Sequence, residues 1–559
     1  MYRVICLLLS VLAVTACSKT ESSDTATAAK IDPQRLSSIV KTLASDDFEG
    51  RAPGTPGEDK TIRYLVDQFK SLGLQPAGED GGFTQVVPMI HTRIGAPALI
   101  SLQAGGKPVP LAQGKDIAVS TVRNVDQIKI DNAPIVFVGF GVNAPERNWD
   151  DYGDIDLKGK VALFLVNDPD FAAAPGEPAA GKFGGKRMTY YGRWSYKFEE
   201  AARRGAVAAL VIHENKAAGY PWSVAASSPG ENYALAKSDA QTKPVELQGW
   251  LQNAAAARLL KRAGKDLDKL RVAARSPDFK AFELQGLTFN ADLTTKVDQF
   301  KSRNVLALLP GSKRPDEVLM ASAHWDAYGQ GSPDAQGRTV RPGANDDALG
   351  TAGVLELARV LKAGPPLERS VLFAVWSGEE RGLLGSKEYA QSPMFPLEKT
   401  VANFTFDILQ TAGAARDVIL VGKGQSDLED DLARAAHKQG RVVTPESLPQ
   451  NGLFYRADHF SMARKGVPVL LIMGIAGGAD LVDGGRAAGD KWIADYVGNC
   501  YHKTCDSWDP NWDLTGAVQD ISAIRMIIDD LGNSTRWPQW KSGSEFKALR
   551  EQSAAARKH

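Results

Sequence analysis

Val318-Leu-Met-Ala-Ser-Ala-His324-Trp-Asp326 sets a mostly apolar run directly against a histidine and a carboxylate. A run this short and apolar predicts a strand buried on both faces, the kind that builds mainly parallel sheets. Two further runs repeat the arrangement: Val371–Trp376 precedes Ser377-Gly-Glu379-Glu380, and Val401–Phe406 precedes Asp407. In an open α/β sheet, ligands collect in the crevice beyond the carboxyl ends of the strands. One sheet edge is therefore expected to gather His324, Glu379, Glu380 and Asp407. Asp346, in Gly343-Ala-Asn-Asp-Asp-Ala-Leu-Gly350, and His502, in Cys500-Tyr-His502, extend the series along the chain.

Around these runs the alternation of strand and helix is regular after Asn304. Further strands are expected at Asn304–Leu309, Val418–Val421 and Val467–Met473, and helices at Thr351–Leu361, Leu383–Ala390, Leu428–His437 and Val518–Leu531. The pattern predicts a three-layer α/β fold: a mixed, mainly parallel sheet with helices on both faces. Upstream, Ile62, Leu65, Val66, Phe69 and Leu72 follow helical spacing behind the turn-rich loop Arg51–Gly57. From about Asn132 the texture changes to strand-like Ile135–Val142, Val161–Val166 and Val207–Ile212, with helices at Tyr196–Arg204 and Ala254–Ala263. This reads as a smaller α/β module inserted into the larger domain. The expected boundaries are 31–130 and 285–540 for the larger domain, 131–284 for the insertion and 541–559 for a polar, poorly ordered tail.

Lys+Arg and Asp+Glu both total 66, so the net charge is zero and nothing favours a nucleic-acid surface. The apolar stretch Val4–Val14 behind Arg3 has the length of a secretory signal and is too short to span a bilayer. It ends in Val14-Thr15-Ala16-Cys17, which resembles a bacterial lipobox, although an ordinary signal with an incidental cysteine reads the same way. Residues 1–17 are expected to be a lipoprotein signal and 18–30 a flexible tether. Ser18 after Cys17 points to the outer membrane, facing the periplasm, with the lipid as the only membrane contact. Cys500 and Cys505 then remain, and an oxidising envelope favours a disulfide over a metal site for such a pair.

A hydrolytic metal site needs ligands that stay deprotonated at neutral pH and one position open to water. Two cations can share a carboxylate in such a site. The series supplies two histidines, three acidic ligands and one spare carboxylate, which is the inventory for two metals and a general base. Taken singly, each motif has a bland reading: Glu-Glu pairs are usually solvated, and Gly-Ala-Asn-Asp can simply cap a helix.

In order and spacing, His324-Trp-Asp326, Gly343–Gly350, Ser377-Gly-Glu-Glu-Arg-Gly-Leu-Leu-Gly385, Asp407 and Tyr501-His502 resemble the dizinc aminopeptidases of peptidase family M28. Phe48–Gly57 and Tyr455-Arg-Ala-Asp-His459 extend the likeness, and Tyr152–Lys160 resembles the protease-associated (PA) domain many of these enzymes carry. The resemblance implies a phosphorylase/hydrolase-like fold, peptide substrates and two Zn²⁺ per chain. Asp346 would bridge the zincs, His324 and Asp407 would complete one, and Glu380 and His502 the other. Glu379 would be the general base, Tyr501 a donor to the oxyanion, Asp326 the support of His324, and Arg456 a substrate contact. The Asp346–Asp347 peptide resembles one that is cis in the family. Leu349 stands where Ser is usual, and Thr-Phe-Asp407-Ile-Leu replaces Asn-Leu-Asp-Met; neither removes a ligand.

His459 competes with His502 as the last ligand, whereas His213 reads as structural and His91 and His437 show no partners. Alternatives on the same fold are a carboxypeptidase, another dizinc amide hydrolase, a single-zinc glutaminyl cyclase, or a non-catalytic binding protein. Oligomeric state is not readable.

Overall fold

The structure is a computed structural model that describes residues 29–237 and 242–557. The signal segment with Cys17, and the tether as far as residue 28, lie outside the described residues.

Arg314–His324 lies near the centre of the main sheet, pairing parallel with Arg369–Trp376 on one side and Thr400–Phe406 on the other. Val469–Ile472 adds a further parallel strand. On the opposite flank Phe282–Leu309 runs antiparallel to Arg369–Trp376 and to Thr84–Ile94, so the sheet is mixed. Alternate residues of one strand enter different cores. Leu319, Ala321 and Ala323 pack with the helices Pro33–Leu43, Pro56–Ser71, Leu349–Ala363 and Thr515–Gly532. Val318 and Met320 pack instead with Tyr389 and Phe460, from the helices Leu384–Gln391 and His459–Ala463. Burial on both faces explains why these strands read as apolar runs without alternation.

The strand at Asp417–Leu420 is not part of that sheet. It pairs parallel with Val442–Pro445 across the helix Leu428–Lys438, a small unit of its own. The strand ending at Leu309 is much longer than expected, because it starts at Phe282. Its first half pairs with Leu99–Ala104 and Gln127–Phe137, joining the main sheet to a second one. That second sheet continues through Val161–Leu165, Ala208–Ile212 and Leu247–Leu251, all parallel.

Its core draws on residues from Ile100 to Leu293, so the smaller module gathers partners on both sides of the expected 131–284 limits. The segment Glu231–Leu235 leaves the module again and pairs antiparallel with Thr84–Ile94 on the main sheet. The tail also departs from expectation. Lys547–Gln552 is helical, Phe546 and Arg550 are buried, and Arg550 donates to Thr400 O and Val401 O at 3.0 and 3.2 Å. Those bonds tie the segment to the start of Thr400–Phe406 and order residues whose composition alone suggests solvent.

Candidate metal centre

The strand register sets His324 opposite Trp376 and Ser322 opposite Thr405, so the residues that follow these strands emerge side by side. Gly378, at φ 66°, turns the chain sharply behind Trp376 and presents Glu379 and Glu380 at the edge. Gly385 must approach closely for this turn to close: a Cβ there would lie 2.2 Å from Asn304 Oδ1 and 2.4 Å from Ser377 O.

Two groups of potential ligand atoms form, each within 4.8 Å: His324, Asp346 and Asp407 in one, and Asp346, Glu380 and His502 in the other. Asp346 belongs to both. Its Oδ1 lies 3.3 Å from His324 Nε2 and its Oδ2 lies 3.1 Å from His502 Nε2, which is itself 3.3 Å from Glu380 Oε2. His324 Nε2, Asp346 Oδ2 and Glu380 Oε1 are buried without a hydrogen-bond partner. Orphaned imidazole and carboxylate atoms of this kind are costly unless a cation completes them. The donor set, nitrogen and carboxylate oxygen with no thiolate, suits zinc.

Glu379 stands at the same edge, with Oε2 3.9 Å from His324 Nε2. Burial pushes the Glu379 and Glu380 carboxyls well above their ordinary range, and neighbouring carboxylates add to it. Burial also takes Asp407 up to about 7, with Asp346 adding and with His324 and Arg456 opposing. Asp346 goes the other way: burial works against its charge, but the His324 and His502 imidazoles beside it hold it well below the usual range. A divalent ion would invert this balance and favour every carboxylate in its charged form.

Asp326 lies beside His324 and makes further contacts. His324 Nδ1 is 3.1 Å from the Asp326 main-chain oxygen and 3.6 Å from its carboxylate. The carboxylate is engaged by the backbone N–H groups of Glu379 and Glu380, at 3.0 and 3.4 Å. It therefore positions the Glu379–Glu380 turn as well as lying beside His324. Cys500 and Cys505 are joined in a disulfide. Between them the Tyr501 and His502 rings lie 3.6 Å apart. Arg456 is near enough to oppose the burial-driven rise of the Tyr501 phenol. His459 is fully buried, belongs to neither donor group and packs 5.0 Å from Phe454. His213 sits among Tyr220, Trp222 and Trp250, whereas His91, against expectation, has partners in Glu231 and Arg93.

Three supporting residues escaped the sequence reading. The Asp347 carboxylate accepts from the N–H groups of His324, Gly350 and Ile408, tying two strand ends to a helix start. The peptide joining it to Asp346 is cis. Asp506 accepts from the N–H groups of Asn345 and Asp346 at 3.0 and 3.2 Å and from the Tyr496 hydroxyl at 3.1 Å. Arg51 is fully buried and donates to the carbonyls of Leu43, Trp325, Pro342 and Gly343. All three act mostly on main-chain groups, which no side-chain pattern reveals.

The fold and this edge define an α/β protein with two carboxylate–imidazole donor groups that share Asp346. Residues 304–525 match the family model described as peptidase family M28. Leupeptin-inactivating enzyme 1 of Streptomyces exfoliatus is 30% identical over 45% of this chain and 55% of its own length. Aminopeptidase YwaD of Bacillus subtilis (strain 168) is 29% identical over 33% of this chain and 38% of its own length. "Probable lipoprotein aminopeptidase LpqL" of Mycobacterium tuberculosis is 32% identical over 30% of each. The chain thus spans about half the length, or less, of the curated relatives it matches. Among solved structures, an aminopeptidase from Aneurinibacillus sp. strain AM-1 aligns over 89% of this chain and 93% of that one, at 21% identity and TM-score 0.48.

Proposed function

We propose that this chain is a zinc aminopeptidase that removes N-terminal residues from peptides with two metal ions and a glutamate base. One observation carries the reading: a single carboxylate, Asp346, is shared by two donor groups that otherwise use different residues. His324 and Asp407 would complete one zinc position, and Glu380 and His502 the other. Zinc in both would supply Lewis acidity toward the scissile carbonyl and the attacking water.

The chain's own groups do the rest. Glu379 takes a proton from water and delivers it to the leaving amine, as a general base beside a metal site does. Tyr501 donates to the developing oxyanion, and Arg456 contacts the substrate backbone. Asp326 fixes the turn that separates Glu379 from Glu380 by role. The smaller module is read as a PA-like lid or specificity element. A lipid on Cys17 would hold the enzyme at a bacterial envelope, in keeping with the relative named as a lipoprotein aminopeptidase.

The test is turnover of aminoacyl anilides by zinc-loaded protein, compared with N-acetylated peptides. Hydrolysis of free-amine substrates alone supports an aminopeptidase. Cleavage of N-acetylated peptides from the carboxyl end would replace that reading with a carboxypeptidase.

A further inference from the structure

A chain of stacked side chains leads away from the centre. The His502 ring lies 4.5 Å from the Tyr328 ring, tilted by 41°, and the Arg381 guanidinium lies 5.0 Å from the same ring. Arg381 lies 4.7 Å from the Tyr233 ring, and Tyr233 stacks on His91 at 4.1 Å with planes 5° apart. Five parts of the chain build this row: the Cys500–Cys505 loop, the loop after His324, the turn behind Glu380, the Glu231–Leu235 strand that leaves the smaller module, and the Thr84–Ile94 strand it pairs with.

Arg381, Tyr233 and Tyr328 also line a cleft of about 340 Å³, with Gln330 and Glu49 on its wall. Glu49 is the one acidic side chain on that lining, and it is paired with Lys60 at 3.1 Å. Among the described residues the Arg381 guanidinium has no carboxylate partner, and it lies over two rings, at 4.7 and 5.0 Å from their centres. A stacked guanidinium keeps its edge N–H groups free, and that edge matches a carboxylate bidentately. The cleft adjoins the reacting centre through Tyr328, whose ring lies 4.5 Å from that of His502.

We propose that Arg381 is the receptor for a carboxylate of the substrate. This rests on the aminopeptidase reading above. The carboxylate has two possible sources, the C-terminus of a short peptide or the side chain of an acidic first residue. Tyr233 and Tyr328 act as positioning residues that orient the guanidinium.

The experiment compares kcat/KM for matched pairs in zinc-loaded wild type and in Arg381→Gln and Arg381→Lys. One pair is Leu-Gly-Gly as free acid and as amide; the other is glutamyl and glutaminyl anilide. Wild type is expected to favour the carboxylate partner of one pair by about tenfold to a hundredfold, the range of a charge-assisted hydrogen bond. Preference in the first pair identifies the C-terminus, and preference in the second identifies the side chain. The ratio should collapse toward one in Arg381→Gln and be partly kept in Arg381→Lys, which retains charge without the fork. A wild-type ratio near one in both pairs overturns the proposal, even if the variants fail to fold. So does a ratio that survives Arg381→Gln. Absence of turnover on any substrate contradicts the aminopeptidase reading instead, so the two failures are distinguishable.

Discussion

Asp346 Oδ2 lies 3.1 Å from His502 Nε2, although the two residues are far apart in the sequence. The other oxygen of the same carboxylate faces His324. That sharing makes a simple prediction about metal content. Asp346→Asn should drop bound zinc from two per chain toward none, whereas Asp407→Asn should drop it toward one. Elemental analysis of dialysed protein measures both, and equal losses in the two variants would contradict a bridging role.

Asp506 holds the Asn345–Asp346 peptide groups in place without being one of the donors. Asp506→Asn keeps the size and loses the charge. Zinc affinity should fall by about 10- to 100-fold, the range for residues that support ligands. Competition with a chromogenic chelator reads the change. An unchanged affinity would reduce Asp506 to a local structural role.

The Cys500–Cys505 disulfide closes the short loop that carries His502. Cys500→Ser with Cys505→Ser should leave the fold intact and weaken zinc binding at the Glu380–His502 position, lowering stoichiometry at limiting metal. The His324–Asp407 position should keep its ion. Loss of both ions together would show that the loop supports the whole centre.

His459 gives a pH prediction. Burial pushes its imidazole down to about 3, from an ordinary value of 6.5. Between these values the unfolded chain binds one more proton than the folded one, so stability falls as pH falls. The slope is about 1.4 kcal/mol per pH unit, or about 2 kcal/mol between pH 6.5 and 5. Urea unfolding at the two pH values should show this loss in wild type and a loss smaller by that amount in His459→Asn. Parallel losses would mean that His459 does not titrate as argued.

The legible parts of this protein were those where one residue does one thing. His324 and Asp407 could be placed because each follows a strand whose apolar run is visible by itself. The halves of the smaller module were harder. The first half of Phe282–Leu309 mixes Glu, Gln, Thr, Asn and Asp with its apolar positions, because only some of its residues face a core. The order of the tail was hidden because it depends on Arg550 capping carbonyls 150 and 149 positions away. Asp506 and Arg51 were hidden for a similar reason, since their partners are backbone groups. The Arg381 stack joins segments that only the three-dimensional fold brings together.

The most direct measurement is zinc content alongside leucyl-anilide turnover, for wild type and Glu379→Gln. The account predicts two zinc ions per chain in both proteins, with turnover in the variant down by at least about a hundredfold, the lower range for a general base. A variant that keeps its zinc and full turnover would contradict Glu379 as the base. A wild type that turns over with a single zinc would contradict the shared centre at Asp346.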